Sequence, residues 1–278
     1  MCPSRVADGD ERGWIVPIGG AEEKENDPAI LKRFVRLCGG KDADLVVIPT
    51  ASRMDDTGDR YEAIFKEIGV KRVKALNFRE REDASKEKWV ERIERASGVF
   101  FTGGDQLRIT TVLGGTLTDS ALQSLVRSGT IVLGGTSAGA AMMSGTMILG
   151  GDGPGVARDS VRTGPGLELL PGVLIDMHFA ERGRLNRLLS AVALYPHELG
   201  LGIDEDTAIL ADGDSFEVLG TGAVTVVDAG AAADIRVPAE GPITLTGARV
   251  HVLPAGCRFE LSGRRPAIVA AAERELAA

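Results

Sequence analysis

The sequence predicts an α/β protein with a doubly wound, mainly parallel sheet and a small antiparallel extension near its carboxyl end. Short apolar segments rich in β-branched residues alternate with amphipathic segments that end near glycine, which is the pattern of successive βαβ units. The apolar segments are continuous rather than alternating, as in strands that helices cover on both faces. With 278 residues, of which 44% are hydrophobic, the chain is long enough to bury such a sheet.

Five apolar segments have the length expected of strands in a buried parallel sheet. They are residues 13–18, 44–49, 72–76, 98–102 and 130–135. Four amphipathic segments between them carry apolar residues three and four positions apart, with charged residues on the opposite side, and are predicted helices. They are residues 28–37, 59–68, 85–96 and 118–128. The alternation of these elements predicts that the strands run parallel.

The regular alternation ends at a glycine-rich run at residues 150–155, which predicts a loop. Beyond it, short segments bounded by Gly and Asp indicate antiparallel strands. They are residues 216–219, 223–227, 243–245 and 249–253. We therefore expect an N-terminal tail at residues 1–12, an α/β domain at residues 13–230 and a β-rich extension at residues 231–278 packed on the same domain.

Composition and charge narrow the classes of function. The formal net charge of −8 disfavours nucleic-acid binding, which depends on clustered Lys and Arg, and favours small-molecule or peptide partners. Cys2, Cys38 and Cys257 lie far apart, without the spacing of a zinc site or a disulfide framework. We expect no cofactor and no metal. We also expect no membrane insertion, because no apolar run approaches about 20 residues. The first 14 residues are charged, which predicts no secretory signal and hence a cytoplasmic location.

The strongest chemical signal is a GxSxG motif, Gly135-Thr136-Ser137-Ala138-Gly139, which follows an apolar strand and precedes a small-residue helix start. In this context it predicts a nucleophile elbow, in which the Ser137 hydroxyl is exposed at the carboxyl edge of the sheet. The helix N–H groups, that of Ala138 above all, can stabilise the oxyanion formed when a carbonyl is attacked. The alternative is a phosphate-binding turn, but the first strand is followed by acids at residues 22–23 and lacks GxGxxG.

A serine nucleophile needs a base, and the chain has three histidines. His178 is preferred, because it follows the apolar residues 172–175 and so lies at a predicted strand end beyond Ser137 in sequence. His251 lies in an alternating segment that is typical of a solvated strand face. His197 is expected in a loop.

The third partner is a carboxylate that orients the imidazole and stabilises its charged form. Glu205 is preferred, because it follows the apolar segment at residues 199–203, where another strand is expected to end. Spacing alone leaves Asp204, Asp206 and Asp176 open as alternatives. The acidic run is also compatible with a turn that contains a helix-capping Asp.

Four motifs together resemble the cyanophycinases, which are serine peptidases related to aspartyl dipeptidases. The motifs are Gly103-Gly104-Asp105-Gln106, Gly135-Thr136-Ser137-Ala138-Gly139-Ala140, Asp176-Met177-His178-Phe179 continuing through Arg182, Arg184 and Arg187, and Gly202-Ile203-Asp204-Glu205. Their order and spacing are similar to the family's over residues 13–230. The resemblance implies a class I glutamine-amidotransferase-like, flavodoxin-like α/β fold and a homodimer.

The resemblance also implies a Ser-His-Glu triad, which selects Glu205 over its acidic neighbours. It implies hydrolysis of cyanophycin, a poly-aspartate whose side chains carry arginine in isopeptide linkage, to β-Asp-Arg dipeptides through an acyl-enzyme. Guanidinium groups suit the carboxylates of such a substrate, and an acid suits its arginine part. The residues implied to bind substrate are Gln106, Asp176, Arg182, Arg184 and Arg187. The alternative for the arginines is a solvated helix face that pairs with acids such as Glu181.

The turn at residues 103–106 fits two roles. The Gly104 N–H is placed to be the second oxyanion donor beside that of Ala138, whereas Asp105 is placed to cap a helix. One position departs from the family, because Met177 occupies the place of an expected Gln before His178. The departure leaves the triad unchanged but makes the site less polar, which suits a related β-aspartyl or other acidic-peptide substrate. Two further hypotheses stay open, an α-aspartyl dipeptidase of the same fold and a non-catalytic protein that binds β-Asp-Arg.

Overall fold

A computed structural model describes residues 13–267. The expected tail at residues 1–12, and residues 268–278 of the expected carboxyl-terminal extension, lie outside the described residues. The strands are β1 (Ile15–Ile18), β2 (Asp44–Ile48), β3 (Arg72–Ala75), β4 (Gly98–Phe101), β5 (Val132–Thr136), β6 (Thr146–Gly150), β7 (Arg162–Pro165), β8 (Val173–Met177), β9 (Leu199–Ile203), β10 (Thr207–Asp212), β11 (Ser215–Gly220), β12 (Ala223–Asp228), β13 (Asp234–Arg236), β14 (Thr244–Thr246), β15 (Arg249–Pro254), β16 (Arg258–Glu260) and β17 (Arg265–Ala267). The α-helices are α1 (Ala29–Leu37), α2 (Thr57–Glu67), α3 (Glu87–Glu94), α4 (Gln106–Leu113), α5 (Leu117–Arg127), α6 (Ala138–Ala141) and α7 (Leu185–Leu194).

The main sheet has the strand order β17-β16-β11-β10-β1-β5-β4-β2-β3. The five strands from β1 to β3 in this order pair in parallel. On the other side of β1, strands β10, β11, β16 and β17 pair antiparallel. Because the parallel strands share one direction, their carboxyl ends meet at one edge of the sheet.

Helices cover both faces of the parallel part. Successive strand residues alternate between two apolar cores, so that Val47 faces the core formed with α1 and α2, whereas Val46 faces the core formed with α3, α4 and α5. On the first face, Phe34 and Phe65 pack edge-on against Phe100 at centroid distances of 5.4 and 5.3 Å. This arrangement confirms the predicted doubly wound α/β fold with an antiparallel carboxyl-terminal part.

A second sheet of four strands, ordered β15-β12-β9-β8, packs beside the main one and was not predicted as a separate layer. Strands β8 and β9 pair in parallel, with Met177 opposite Ile203. Strands β12 and β15 continue this sheet antiparallel. Consequently β8 and β9 end side by side, and the residues after each strand lie close together. The division of the chain at residue 230 stays a prediction.

The five predicted parallel strands and four predicted helices are all present, with ends that differ by up to two residues. Helix α4 is the helix that Asp105 was expected to cap, but its bounds were not predicted, because the segment is short and directly follows the glycine turn after β4. No helix within residues 13–267 combines the length and the apolar character needed to cross a bilayer.

Candidate active site

Ser137 lies at a sharp turn between β5 and α6, at the carboxyl edge of the main sheet. Its backbone has φ 52° and ψ −110°, which a non-glycine residue adopts only when the surrounding structure enforces it. Both glycines of the motif permit close packing. A Cβ added at Gly135 would lie 2.7 Å from the carbonyl carbon of Gly139, and one at Gly139 would lie 2.5 Å from the Phe101 carbonyl oxygen. The predicted nucleophile elbow is therefore the geometry that the structure has.

His178 follows the last residue of β8 and points at Ser137 across the gap between the two sheets. The distance from His178 Nε2 to Ser137 Oγ is 2.9 Å. The His178 backbone has φ 50°, and its N–H donates to the carbonyl of Gly19 at 2.8 Å. This bond fixes the histidine to the turn that follows β1, beside the serine.

Glu205 follows β9 and contacts the other nitrogen of the same imidazole. Its Oε1 lies 2.6 Å from His178 Nδ1. A carboxylate accepts but does not donate, so Nδ1 carries the hydrogen and Nε2 presents its lone pair to the Ser137 hydroxyl. The three side chains thus form one chain of hydrogen bonds in which Nε2 is ready to accept a proton.

Each of the other carboxylates left open by sequence spacing is engaged elsewhere. Asp204 accepts the backbone N–H groups of Ala180 and Ala223. Asp206 accepts the N–H of Glu23 at 2.9 Å and the hydroxyl of Thr221 at 3.1 Å. Asp176 pairs with an arginine. Of these four acids, Glu205 is the one in hydrogen-bond contact with His178.

The two remaining histidines lie away from this site. His197 is exposed in the loop before β9, 3.6 Å from Glu198 Oε1. His251 is on β15, where its ring packs against Phe259 at a centroid distance of 5.7 Å. Residues 13–267 contain no group of three or more His, Cys, Asp or Glu side chains placed to hold a metal ion.

Two backbone N–H groups lie beside the serine and are free of protein acceptors in the described part of the chain, those of Ala138 and Gly104. Gly103 packs against the serine, because a Cβ added there would lie 3.4 Å from Ser137 Cβ. Gly104 has φ 143°, and a Cβ there would lie 2.5 Å from the carbonyl carbon of Ala51. Only glycine therefore fits this close approach. Asp105 caps α4 by accepting the Leu107 N–H, as expected, and the role of Gly104 as an oxyanion donor stays a prediction.

The comparisons with known proteins show the family of the chain. Residues 15–219 match the sequence profile of peptidase family S51. The chain belongs to peptidase family S51. It is 41% identical to a cyanophycinase from Geminocystis herdmanii strain PCC 6308, over 92% of this chain and 96% of the relative. It is 43% identical to a cyanophycinase from Nostoc sp. strain PCC 7120, over 90% of this chain and 86% of the relative.

A solved structure of a peptidase from an acI-B1 Actinobacterium has the same fold as this S51 peptidase. The TM-score is 0.68 at 22% sequence identity, and the match covers 91% of this chain and 98% of the other. At that identity the likeness concerns the fold.

In this S51 peptidase, the expected substrate-binding residues occupy three different environments. Asp176 has no exposed surface, and both its oxygens bond to the buried Arg187, with Nε donating at 2.8 Å. This burial runs against direct substrate contact by the pair, because neither charged group reaches solvent. Arg184, at the start of α7, bonds to the carbonyl of Met177 and lies 3.5 Å from Asp176. The ion pair and Arg184 thus hold the strand end that precedes His178.

Arg182 and Gln106 are the more accessible members of the set. Arg182 is exposed in the turn between His178 and α7, as expected for a residue that precedes the helix. Gln106 is half-buried at the start of α4, and its side-chain amide donates to the Ile148 carbonyl at 2.8 Å. Contact of these two side chains with a substrate stays a prediction.

Two residues of the site were missed by sequence reasoning. Gly20, with φ 108°, packs against the His178 ring. Glu22 is buried beneath the elbow, where Thr136 Oγ1 donates to it at 2.5 Å and Tyr61 OH at 2.7 Å. Burial, reinforced by the Glu22 charge, raises the pKa of Tyr61, so the phenol remains a donor. The sequence feature that could have indicated these residues is the Gly-Gly-Ala-Glu-Glu turn directly after the first strand. Its acids were used only as evidence against a phosphate-binding turn.

Proposed function

We propose that this S51 peptidase is a cyanophycinase, a serine exopeptidase that hydrolyses cyanophycin to β-Asp-Arg dipeptides through an acyl-enzyme on Ser137. The observation that carries the proposal is the chain of hydrogen bonds from Ser137 through His178 to Glu205. It lies at the edge where the strands of both sheets end. The relatives named cyanophycinase supply the substrate class, and the arginines near His178 suit a substrate rich in carboxylates.

The first step is attack by Ser137 Oγ on a backbone peptide carbonyl next to a β-linked Asp-Arg unit. His178 Nε2 accepts the hydroxyl proton as the bond forms, and Glu205 stabilises the resulting imidazolium through Nδ1–H. The tetrahedral oxyanion is stabilised by the N–H groups of Ala138 and Gly104, both of which lack a protein acceptor in the described residues.

The second step releases the leaving amine and regenerates the enzyme. The proton on His178 Nε2 passes to the amine nitrogen as the carbon–nitrogen bond breaks, which leaves an ester on Ser137. A water molecule then gives a proton to Nε2 and attacks the ester, and His178 returns that proton to Ser137 Oγ. No group other than protein side chains, backbone N–H groups and water takes part.

Substrate orientation is assigned to the polar groups around the elbow. We assign Arg182 and Arg184 to the substrate carboxylates and Gln106 to its amide groups, because Arg182 is exposed and the other two residues are less buried than Asp176 and Arg187. Asp176 and Arg187 were expected to bind substrate directly. In this proposal they instead act indirectly, because their ion pair fixes β8 to α7 and so positions His178. Met177 is buried behind His178 and contributes an apolar wall.

The experiment compares wild type with Ser137→Ala on cyanophycin and on α-aspartyl dipeptides, with products identified by mass spectrometry. The proposal expects soluble β-Asp-Arg from wild type and none from Ser137→Ala. Release of aspartate from α-aspartyl dipeptides without cleavage of cyanophycin would instead assign the site to the dipeptidase alternative. Binding of β-Asp-Arg without any hydrolysis by wild type would favour the non-catalytic alternative.

We further infer a homodimer, as the resemblance to cyanophycinases implies, and a cytoplasmic location. Strand β15 forms a free edge of the second sheet in the described structure, and its Val250 and Val252 are 50% and 65% exposed. Exposed apolar residues on a free edge strand suit pairing with a second copy. Light scattering after size exclusion checks the mass, and Val252→Lys is expected to shift a dimer toward monomer.

A further inference from the structure

A cavity that the reaction does not use opens at the same edge of the main sheet as Ser137. Its volume is about 260 Å³. It is bounded by the loop after β2, by the loop after β3 and by the first turn of α4. The residues that bound it include Thr50, Ser52, Asn77, Phe78 and Arg108. Since β2 and β3 lie beyond β4 in the strand order, the cavity is displaced from the serine toward the outer strands.

The cavity is lined by positive charge on a protein that is acidic overall. Three arginines line it, Arg53, Arg79 and Arg108, together with a single acid, Asp55. Arg79 pairs with Asp55 at 3.2 Å. Within residues 13–267, the guanidinium groups of Arg53 and Arg108 have no hydrogen-bond or ion-pair partner. Two unpaired guanidiniums on one concave surface form a binding position for carboxylates, to which they can donate paired hydrogen bonds in bidentate geometry.

One turn separates this cavity from the oxyanion donors. Ser52 lines the cavity, and its backbone nitrogen would lie 2.9 Å from a Cβ added at Gly104. On the other side of the same turn, Gly103 packs against Ser137. Arg108 belongs to α4, which begins immediately after the turn. A chain that binds at Ser137 and continues along the sheet edge therefore meets Arg53 and Arg108 next.

We propose that this cavity is a second subsite that binds a carboxylate-bearing unit of the substrate remote from the bond being cleaved. The inference rests on the proposed function and specifies it further. Each unit of cyanophycin carries a free arginine α-carboxylate, which suits Arg53 and Arg108. The exposed Met54 offers an apolar contact for the methylene groups of such a unit. Occupation of both positions requires several linked units, so the subsite gives a preference for polymer over dipeptide.

The test is a kinetic comparison of polymer with a dimer of β-Asp-Arg units that fills only the site at Ser137. The double variant Arg53→Gln/Arg108→Gln is expected to raise the KM for cyanophycin about tenfold with unchanged kcat, because two charge-assisted contacts are lost. The KM for the dimer is expected to change less than about twofold. The matched control is Arg33→Gln/Arg36→Gln on α1, which removes the same charge elsewhere and is expected to behave as wild type on both substrates.

An unchanged KM for cyanophycin, or an equal rise for polymer and dimer, would overturn the subsite. A binding measurement separates this result from failure of the proposed function. Ser137→Ala is applied to immobilised cyanophycin with and without the two arginine substitutions. Binding that depends on Arg53 and Arg108, in a protein whose wild type cleaves no cyanophycin, supports the subsite and refutes the function. Binding that is independent of both arginines refutes the subsite, whatever the activity.

Discussion

Gly20 packs directly against the imidazole of His178, so closely that an added Cβ would lie 2.5 Å from Nε2. The same turn holds both partners of the serine. The Gly19 carbonyl accepts the His178 N–H at 2.8 Å, and the Gly20 carbonyl accepts the Asp206 N–H at 2.9 Å. The turn after β1 therefore fixes the distance between His178 and the loop that carries Glu205.

Gly20→Ala is expected to lower kcat/KM for cyanophycin by at least about 100-fold, because the methyl group displaces the ring from Ser137. Part of any effect comes from backbone strain at φ 108°. Gly69→Ala is the matched control, since Gly69 has φ 107° and open space around its Cβ position. Gly69→Ala is expected to lose stability with little loss of activity. Equal activity losses in the two variants would show that strain, and not the His178 contact, is responsible.

Glu205→Gln is expected to lower kcat on the order of 1,000-fold, because an amide supports the imidazolium less well and can reverse the tautomer. Asp206→Asn, one residue away, is the control, because an amide can still accept from Glu23 and bond to Thr221. It is expected to retain activity within a few-fold. Steady-state kinetics on cyanophycin measure both. A larger loss in Asp206→Asn than in Glu205→Gln would move the orienting role away from Glu205.

Substitutions of the buried Arg187 and the exposed Arg182 are expected to have different effects on stability and on the KM. Arg187→Ala leaves the buried carboxylate of Asp176 with its main partner removed, which is expected to cost about 3 kcal/mol in the free energy of unfolding. Arg182 is exposed, so Arg182→Ala is expected to lower the free energy of unfolding by less than about 0.5 kcal/mol while raising the KM for cyanophycin. Urea unfolding and kinetics together check this contrast. If Arg182→Ala unfolded the protein and Arg187→Ala changed only the KM, the assignment of the two residues would be reversed.

The buried carboxylate of Glu198 gives a prediction for pH. Burial raises the pKa of Glu198, and its bond from Thr146 only partly opposes the shift. The folded state therefore binds this proton more tightly than the unfolded state. As a result, the free energy of unfolding falls as the pH rises from the ordinary value of 4.5 through the raised one.

Glu198→Gln removes this penalty and is expected to stabilise the protein at pH 7.5, with a smaller gain at pH 4.5. Thermal unfolding at the two pH values checks the expectation. Glu240→Gln, at an exposed position, is the control and is expected to show no such pH-dependent gain. A gain in stability over wild type that is smaller for Glu198→Gln at pH 7.5 than at pH 4.5 would contradict this expectation.

The parts of the molecule that local sequence determines were predictable. The strand, sharp turn and helix around Ser137 are specified by five consecutive residues, and the parallel strands have continuous apolar segments. Glu205 could not be separated from Asp204 and Asp206 by spacing. Which of three adjacent acids reaches the imidazole depends on the path of the loop after β9, where Asp206 has φ 42°.

The missed features depend on contacts between distant segments. Gly20 meets His178, and Glu22 meets Thr136, only because β1 lies beside β5 and the second sheet closes over their ends. The second sheet was not predicted, because an apolar segment predicts a strand but does not predict which strand pairs with it. The burial of Asp176 and Arg187 was missed for a related reason, since charged residues are exposed in most proteins unless they are paired.

We propose that His178 and Glu205 activate Ser137 as a nucleophile. The rate of labelling by a fluorophosphonate tests this activation directly, with the modified residue mapped by peptide mass spectrometry. One adduct is expected, on Ser137, that is absent in Ser137→Ala and forms much more slowly in His178→Ala and Glu205→Gln. A folded wild-type protein that is not labelled, or an adduct at another serine, would contradict it.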